Sequence, residues 1–271
     1  APDSEISALN EGGQAHLSPD TAQLLSAALA LCALTGGALD ITAYPAVEAW
    51  GFTTGEYRVP NQAELEELGD HIDYTRVSLD QERASLPDGM KLDLGAVAKG
   101  YTADRLAKLA QERDITSALL DLGQSTILAL GAKPDGSPWR IGIQDPQGEG
   151  YLGVLELEGQ AMGTSGGYQR YFERDGVRYW HIIDPATAAP ARSGLLSVTV
   201  VSPSGLACDG LSTALFVMGL ERGTQFWRDH PELEFEALFI LEDGSLALTS
   251  GLKDSFTLAQ GYEDREVEVL S

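Results

Sequence analysis

Four residues have side chains and settings that could carry chemistry: Lys99, His181, Asp209 and Thr213. Asp209 and Thr213 stand four apart in Asp209-Gly-Leu-Ser-Thr213, at what reads as a helix start, so a carboxylate and a hydroxyl would share one side and offer two hard oxygens to Mg²⁺. The same pair also reads as a capping aspartate followed by an ordinary threonine. His181, in His181-Ile-Ile-Asp-Pro185, ends a strand and enters a turn, where an imidazole can carry a proton or simply support the bend. Thr164-Ser-Gly-Gly167 supplies hydroxyls and flexible backbone suited to phosphate or ring contacts, and fits an ordinary strand-to-turn transition equally well.

Lys99 belongs to the stretch that organises the rest, Lys91-Leu-Asp-Leu-Gly-Ala-Val-Ala-Lys-Gly-Tyr101. Apolar residues alternate over 90–94, which predicts a short strand. Gly95 and Ala96 then allow a tight turn into a helix. On that helix Val97, Tyr101, Ala103, Leu106, Leu109 and Ala110 recur at helical spacing, and Lys99, Asp104, Arg105 and Lys108 are expected to face water. Neither G-x-G-x-x-G nor G-x-x-x-x-G-K-[ST] is present, so a Rossmann or P-loop site is unsupported.

Other elements follow from local signals. Ser18-Pro-Asp starts a core helix over 21–34 that Gly36-Gly37 stops, and Asn61 caps a short helix ending at Gly69. Strands are expected over 117–121, 126–130, 139–143, 151–157 and 196–201. Hairpins are expected at Asp175-Gly176 and Asp243-Gly244, and a helix over 209–218 ends at Gly219 before a second near Gln225. Strands in groups with helices between the groups argue an α+β class.

The 271 residues can form one large domain or two closely packed ones, and no linker separates two halves. With 41 acidic against 18 basic residues the formal charge is −23, a surface that repels nucleic acid and anionic lipid. A phosphate-bearing ligand would need a local cation to offset that field. No apolar run reaches the length of a membrane span, and the first residues do not resemble a signal peptide. Patterning already at Ser4 suggests that an N-terminal piece has been removed. Cys32 and Cys208 read as buried free thiols.

Taken in order, these segments resemble the ApbE family of FAD:protein FMN transferases over nearly the whole chain. Ser4-Glu-Ile-Ser-Ala-Leu-Asn10 resembles the family's S-E-I-S-x-x-N, and Asp40-Ile-Thr with Pro45 and Trp50-Gly-Phe52 resembles D-[IPV]-T-x-x-P followed by W-G-F. Asp93-Leu-Gly-Ala-Val-Ala-Lys-Gly-Tyr101 resembles D-L-G-[GA]-[IV]-A-K-G-Y, and Trp139-Arg-Ile-Gly-Ile-Gln-Asp-Pro146 resembles W-x-I-G-I-x-D-P. Gly163-Thr-Ser-Gly-Gly-Tyr168, His181-Ile-Ile-Asp-Pro185 and Cys208-Asp-Gly-Leu-Ser-Thr213 complete the series. The chain departs from the family's G-G-N at Gly123-Gln-Ser125, from its T-G at Thr187-Ala188, and from two alanines at Cys208 and Gly210.

The resemblance implies one ApbE-type domain over 1–271, with T-fold-related mixed sheets and helices packed between them, and a missing N-terminal segment. It implies Mg²⁺-dependent transfer of FMN from FAD to a Thr or Ser hydroxyl of an acceptor protein, an FMN-binding-domain redox protein, with release of AMP. The metal would be held by the Ala96 carbonyl, Asp209 and Thr213. FAD contacts carry over to Ala38, Leu39, Asp40, Asp93, Lys99 and Ile183, and His181, Lys99 and Asp209 form the catalytic set, with His181 taking the acceptor proton. An extracytoplasmic, lipid-anchored location is expected on the same ground. An FAD pyrophosphatase, or a flavin-binding protein without catalysis, would use the same residues.

Overall fold

The computed structural model describes residues 3–271; the start at Ala1-Pro2 lies outside the described residues. In chain order the elements are α1 (Glu5–Gly12), β1 (Gln14–His16), α2 (Pro19–Leu34), α3 (Tyr44–Ala49), α4 (Gln62–Gly69), β2 (Ser78–Asp80), β3 (Arg83–Ser85), α5 (Ala98–Gln111), β4 (Ala118–Asp121), β5 (Thr126–Leu130), β6 (Trp139–Gln144) and β7 (Tyr151–Leu157). They continue with β8 (Ala161–Gly166), β9 (Tyr171–Arg174), β10 (Val177–Trp180), β11 (Ile183–Asp184), β12 (Ala189–Pro190), β13 (Leu195–Ser202), α6 (Gly205–Asp229), β14 (Glu236–Leu241), β15 (Leu246–Thr249), β16 (Phe256–Leu258) and β17 (Val267–Leu270). The class is α+β. The chain divides into two compact units, one of residues 1–96 and 170–192, the other of 97–169 and 193–271.

In the first unit the motif that opens at Ser4 ties two helices and residue 92 together. Ser4 caps α1, and Glu5 accepts from both the Ser18 N–H (2.8 Å) and its hydroxyl (2.9 Å) where α2 begins. Asn10 reaches residue 92, its amide donating to the Leu92 carbonyl (2.9 Å) and accepting from the Leu92 N–H (2.7 Å). That contact corrects the strand expected over 90–94. Burial alternates as expected, but among the described residues the only pairing is a single parallel bridge from Lys91 to Ala43. A side-chain amide and the Ile41 carbonyl, which takes the Asp93 N–H (2.7 Å), satisfy backbone groups that a neighbouring strand would otherwise pair. The unit's aromatic core gathers Trp50, Phe52, Phe172 and Tyr179, with the Trp50 indole donating to the Ala188 carbonyl (2.9 Å). The β9–β10 hairpin turns at Asp175 and Gly176 with φ of 52° and 73°, as two-residue turns require.

The second unit is a sandwich backed by two helices. Its seven-stranded sheet runs β17-β15-β14-β13-β8-β5-β4, antiparallel except for the β15–β17 pair, and β4 forms one edge. The three-stranded sheet β16-β7-β6 contributes Ile141, Leu152, Leu155 and Leu157 to a core shared with Ile127, Met162, Val201 and Leu238 of the larger sheet. Helix α6 packs on β8 and β13, and α5 packs on α6 and β5. At Gly219 the backbone leaves helical geometry (φ 80°, ψ 177°), which is the break expected there.

Of the stripe anticipated from spacing, Val97 and Ala103 are buried and Tyr101 and Ala110 half-buried, but Leu106 and Leu109 are exposed and Gly100 is buried instead. The reason is the closeness of α5 and α6: a Cβ on Gly100 would lie 2.0 Å from the Gly205 carbonyl oxygen, so only glycine permits the approach. Asp104, expected to face water, instead accepts from the Ser204 hydroxyl (3.0 Å) and the N–H groups of Gly205 (2.6 Å) and Leu206 (3.1 Å). A carboxylate there satisfies donors that the first turn of α6 leaves unpaired and complements its dipole.

Candidate active site

Because α6 begins at Gly205 with Ser204 and Asp104 as its caps, Asp209 is not a capping residue. It sits a turn inside the helix and is 7 % exposed. One carboxylate oxygen accepts the Gly100 N–H at the start of α5 (2.7 Å), and the other accepts the Thr126 hydroxyl at the start of β5 (2.6 Å). Burial raises its pKa above the ordinary carboxylate value; the bonds from Thr126 and Gly100 and the charge of Lys99 pull it back only in part.

Around Asp209 the second unit assembles further oxygen donors. The hydroxyl of Thr213 donates to the Asp209 carbonyl (3.3 Å) and lies 3.0 Å from the Ser165 hydroxyl, which is itself 2.9 Å from Ser212. Lys99, expected in water, is half-buried and donates to the Ser125 hydroxyl on the β4–β5 turn. Lys99, Asp209 and Thr213 are thus brought together with Ser125, Thr126 and Ser165. Among the described residues no group of three or more His, Cys, Asp or Glu could hold a metal ion. A donor set of one carboxylate, one hydroxyl and one carbonyl does not form such a group.

The remaining predicted residues belong to the first unit. Asp40 accepts from the Thr42 N–H (2.8 Å), the Thr42 hydroxyl (2.6 Å) and the Tyr74 N–H (3.0 Å), so both its oxygens organise loops, and burial raises its pKa against those bonds. Asp93 accepts the Gly95 N–H (2.7 Å) and shapes the turn that leads through Ala96, the end of the unit's first segment, into α5. Ala38, Leu39 and Ile183 have buried side chains, so a ligand would meet their backbone. His181 is tied to Arg170 twice, through its N–H (3.1 Å) and through Nδ1 (3.2 Å), both on one carbonyl, and Phe52 meets the ring edge-on. A carbonyl only accepts, so this contact places a proton on Nδ1. Arg170 in turn donates to the Phe52 carbonyl.

The capping role of Asp104 and the part of Thr126 escaped the sequence reading, while the Ser165 hydroxyl lay in a stretch read as suited to phosphate contacts. Asp104 follows the Lys-Gly-Tyr of the organising stretch, and Ser165 lies inside a motif already singled out, so position pointed near both; Thr126 carried no local signal.

The pattern that defines the ApbE family matches residues 1–239 of this chain. The FAD:protein FMN transferase of Treponema pallidum is 36% identical over 276 residues, spanning 93% of this chain and 75% of the relative. That of Haemophilus influenzae is 34% identical over 238 residues, spanning 82% and 68%. Among solved structures, the ApbE protein of Thermotoga maritima superposes with a TM-score of 0.87 at 36% identity, covering 93% of this chain and 83% of that one. The flavin transferase ApbE from Vibrio cholerae gives 0.79 at 31% identity, covering 97% and 83%.

Proposed function

This chain belongs to the ApbE family, and from that premise we propose that it transfers the FMN half of FAD to a threonine or serine hydroxyl of an acceptor protein and releases AMP. The observation that carries the reading is Asp209, a buried carboxylate whose hydrogen-bond partners are two neutral donors and whose ionised form is penalised by burial, with the Lys99 charge offsetting that only in part. Such a group favours a nearby cation. With the hydroxyl of Thr213 one turn on, the donors are hard oxygens of the kind Mg²⁺ prefers, so the residues present fit that ion. Ala96 enters the metal set by family resemblance alone. When bound, Mg²⁺ neutralises charge on the diphosphate of FAD and so favours its cleavage.

Each residue then has a role. The acceptor oxygen bonds to the phosphorus of the FMN phosphate as that phosphorus loses its bond to the bridging oxygen, which departs with AMP. Lys99, held by Ser125, presents its ammonium to the diphosphate or to the charge that gathers on the leaving oxygen. His181, with Nδ1 turned to the Arg170 carbonyl, takes the acceptor proton on Nε2. Asp40, Asp93 and the backbone of Ala38, Leu39 and Ile183 supply FAD contacts. The extracytoplasmic, lipid-anchored placement expected from the family, and an FMN-binding-domain redox protein as acceptor, belong to the same reading.

The test is incubation with FAD, Mg²⁺ and a redox-protein domain carrying the family's target motif, followed by intact-mass analysis and AMP measurement. AMP should appear in step with a gain of one FMN on the acceptor. His181→Asn should slow transfer more than it weakens FAD binding. Rapid AMP release with an unmodified acceptor would replace the transferase by a pyrophosphatase.

A further inference from the structure

Strand β5 reads Thr126-Ile-Leu-Ala-Leu130, and all five residues are buried. Thr126, with none of its surface exposed, is the strand's one polar side chain, at a position where a valine would fill nearly the same space and leave no group to satisfy. Burial keeps water from its hydroxyl, so the proton needs a protein acceptor, and it finds Oδ1 of Asp209 at 2.6 Å. Among the described residues no other side chain donates to that carboxylate; its second oxygen takes the Gly100 N–H (2.7 Å).

Backbone contacts fix the frame around this bond. Thr126 pairs with Gly163 of β8, and the Thr164 N–H donates to the Ser125 carbonyl (2.8 Å). A Cβ on Gly163 would lie 2.6 Å from the Cys208 carbonyl carbon and 2.9 Å from the Asp209 nitrogen, so α6 rests on the sheet at the turn that carries Asp209. Thr126 faces that helix, whereas Ile127 and Met162, the next pair in the register, enter the sandwich core. The branch at Cβ restricts χ1 of threonine, so the strand sets the direction of the hydroxyl. Ser125, the residue before it, takes the Lys99 ammonium, so two consecutive residues hold the cation and the carboxylate of the candidate site. Ser165 meets Thr213 (3.0 Å) from the same face of the sheet, but Thr213 also has the Asp209 carbonyl, so its support is duplicated. Oδ1 of Asp209 has Thr126 alone.

We propose that Thr126 is a positioning residue, whose hydroxyl fixes the plane of the Asp209 carboxylate so that the oxygen lone pairs left over are aimed at a divalent cation before the cation arrives. The proposal rests on the reading of Asp209 as a metal ligand of the transferase. The bond from Gly100 alone would let the carboxylate turn about that contact; a second bond, from another element to the other oxygen, removes the freedom. A carboxylate offers about four lone-pair sites, and roughly two remain for the ion. Mg²⁺ demands near-ideal octahedral geometry and is therefore sensitive to how its ligands are aimed.

The test compares the parent with Thr126→Val, Thr126→Ser and Thr126→Ala, each as the full chain, with Mg²⁺ alone as the probe. The Mg²⁺ Kd is read by calorimetric titration and from the rise of the melting temperature with Mg²⁺. Thr126→Val keeps the branched shape and loses the hydroxyl, so its Kd should rise about tenfold or more, as for other hydrogen-bond partners of metal ligands. Thr126→Ser loses the methyl group and keeps the hydroxyl, so it should melt below the parent in chelator yet keep a Kd close to the parent's. A residue that only supported the fold would give the reverse, with Mg²⁺ affinity following stability. Thr126→Ser and Thr126→Ala differ by the hydroxyl alone, and that pair makes the same comparison should the valine variant fail to fold. Equal Kd in the parent and the variants without the hydroxyl overturns the role of Thr126 and leaves the transferase reading intact, as does a loss in Thr126→Ser as large as that in Thr126→Ala. A parent that does not bind Mg²⁺ removes the metal set and this proposal with it, while FMN transfer by the parent, measured separately, reports on the transferase reading itself.

Discussion

Asp209 shows how one side chain is held in a state that a ligand can use. Its folded pKa is raised, so the folded protein binds that proton more readily than the unfolded chain, and the contribution to stability is favourable below the ordinary value of 3.8 and lost as pH rises through the raised value. At neutral pH the ionised carboxylate therefore costs stability until a cation sits against it. Asp209→Asn keeps both bonds, because the amide oxygen can accept from Gly100 while the amide nitrogen donates to Thr126, whose hydroxyl can reverse its role. In chelator near pH 7 this variant should melt no lower than the parent. The stabilisation that Mg²⁺ gives the parent, about 2.7 kcal/mol at a hundred times its Kd, should vanish with transfer activity. A thermal scan with and without Mg²⁺ decides it, and a variant that keeps the Mg²⁺ shift would remove Asp209 from the metal set. Two departures from the family are also explained at this scale: Gln124 (φ 67°) and Ala188 (φ 54°) both occupy left-handed backbone where the family has glycine, so the turn shapes persist at a steric cost of about 1–2 kcal/mol each.

Between elements, the decisive contact is the crossing of α5 and α6. Gly100 and Gly205 let the helices touch backbone to backbone, Asp104 of α5 caps α6, and Asp209 of α6 takes the Gly100 N–H in the first turn of α5. The two helices are thus locked in one register, and that register sets Lys99 near Asp209 and Thr213. Gly100→Ala would force a Cβ into the Gly205 carbonyl, so the helices must separate. The expected loss is about 3 kcal/mol of stability, read by denaturant unfolding, together with a larger fall in FAD turnover than any surface change on α5 produces. A variant as stable and active as the parent would show that the register is not needed.

For the whole molecule the governing quantity is the charge of −23. Like charges raise the free energy of the compact state, and salt screens them over a length that falls from about 30 Å at 0.01 M to about 8 Å at 0.15 M. The melting temperature should therefore rise with sodium chloride across that range in the absence of divalent ions. A flat or falling response in calorimetry would mean that the acidic groups are already paired. Among the described residues no helix is long and apolar enough to cross a membrane.

Local signals in the sequence determined those features whose cause is local. Asn61 with Glu64 forms the capping box that starts α4, Asp175-Gly176 turns the β9–β10 hairpin, and Gly219 breaks α6, because caps, turns and left-handed positions depend on residues within four of one another. The order of seven motifs likewise determined the family, since order and spacing survive in the chain itself. Tertiary structure alone decided what joins residues about a hundred apart: Asn10 standing in for a strand beside Leu92, Asp104 turned from water to the start of α6, and Asp209 buried between Gly100 and Thr126. It also decided that Leu106 and Leu109 face outward, against their helical spacing. Periodicity records that a helix has an apolar face, but which face is covered depends on how near the neighbouring backbone can come, and here two glycines on different helices set that distance.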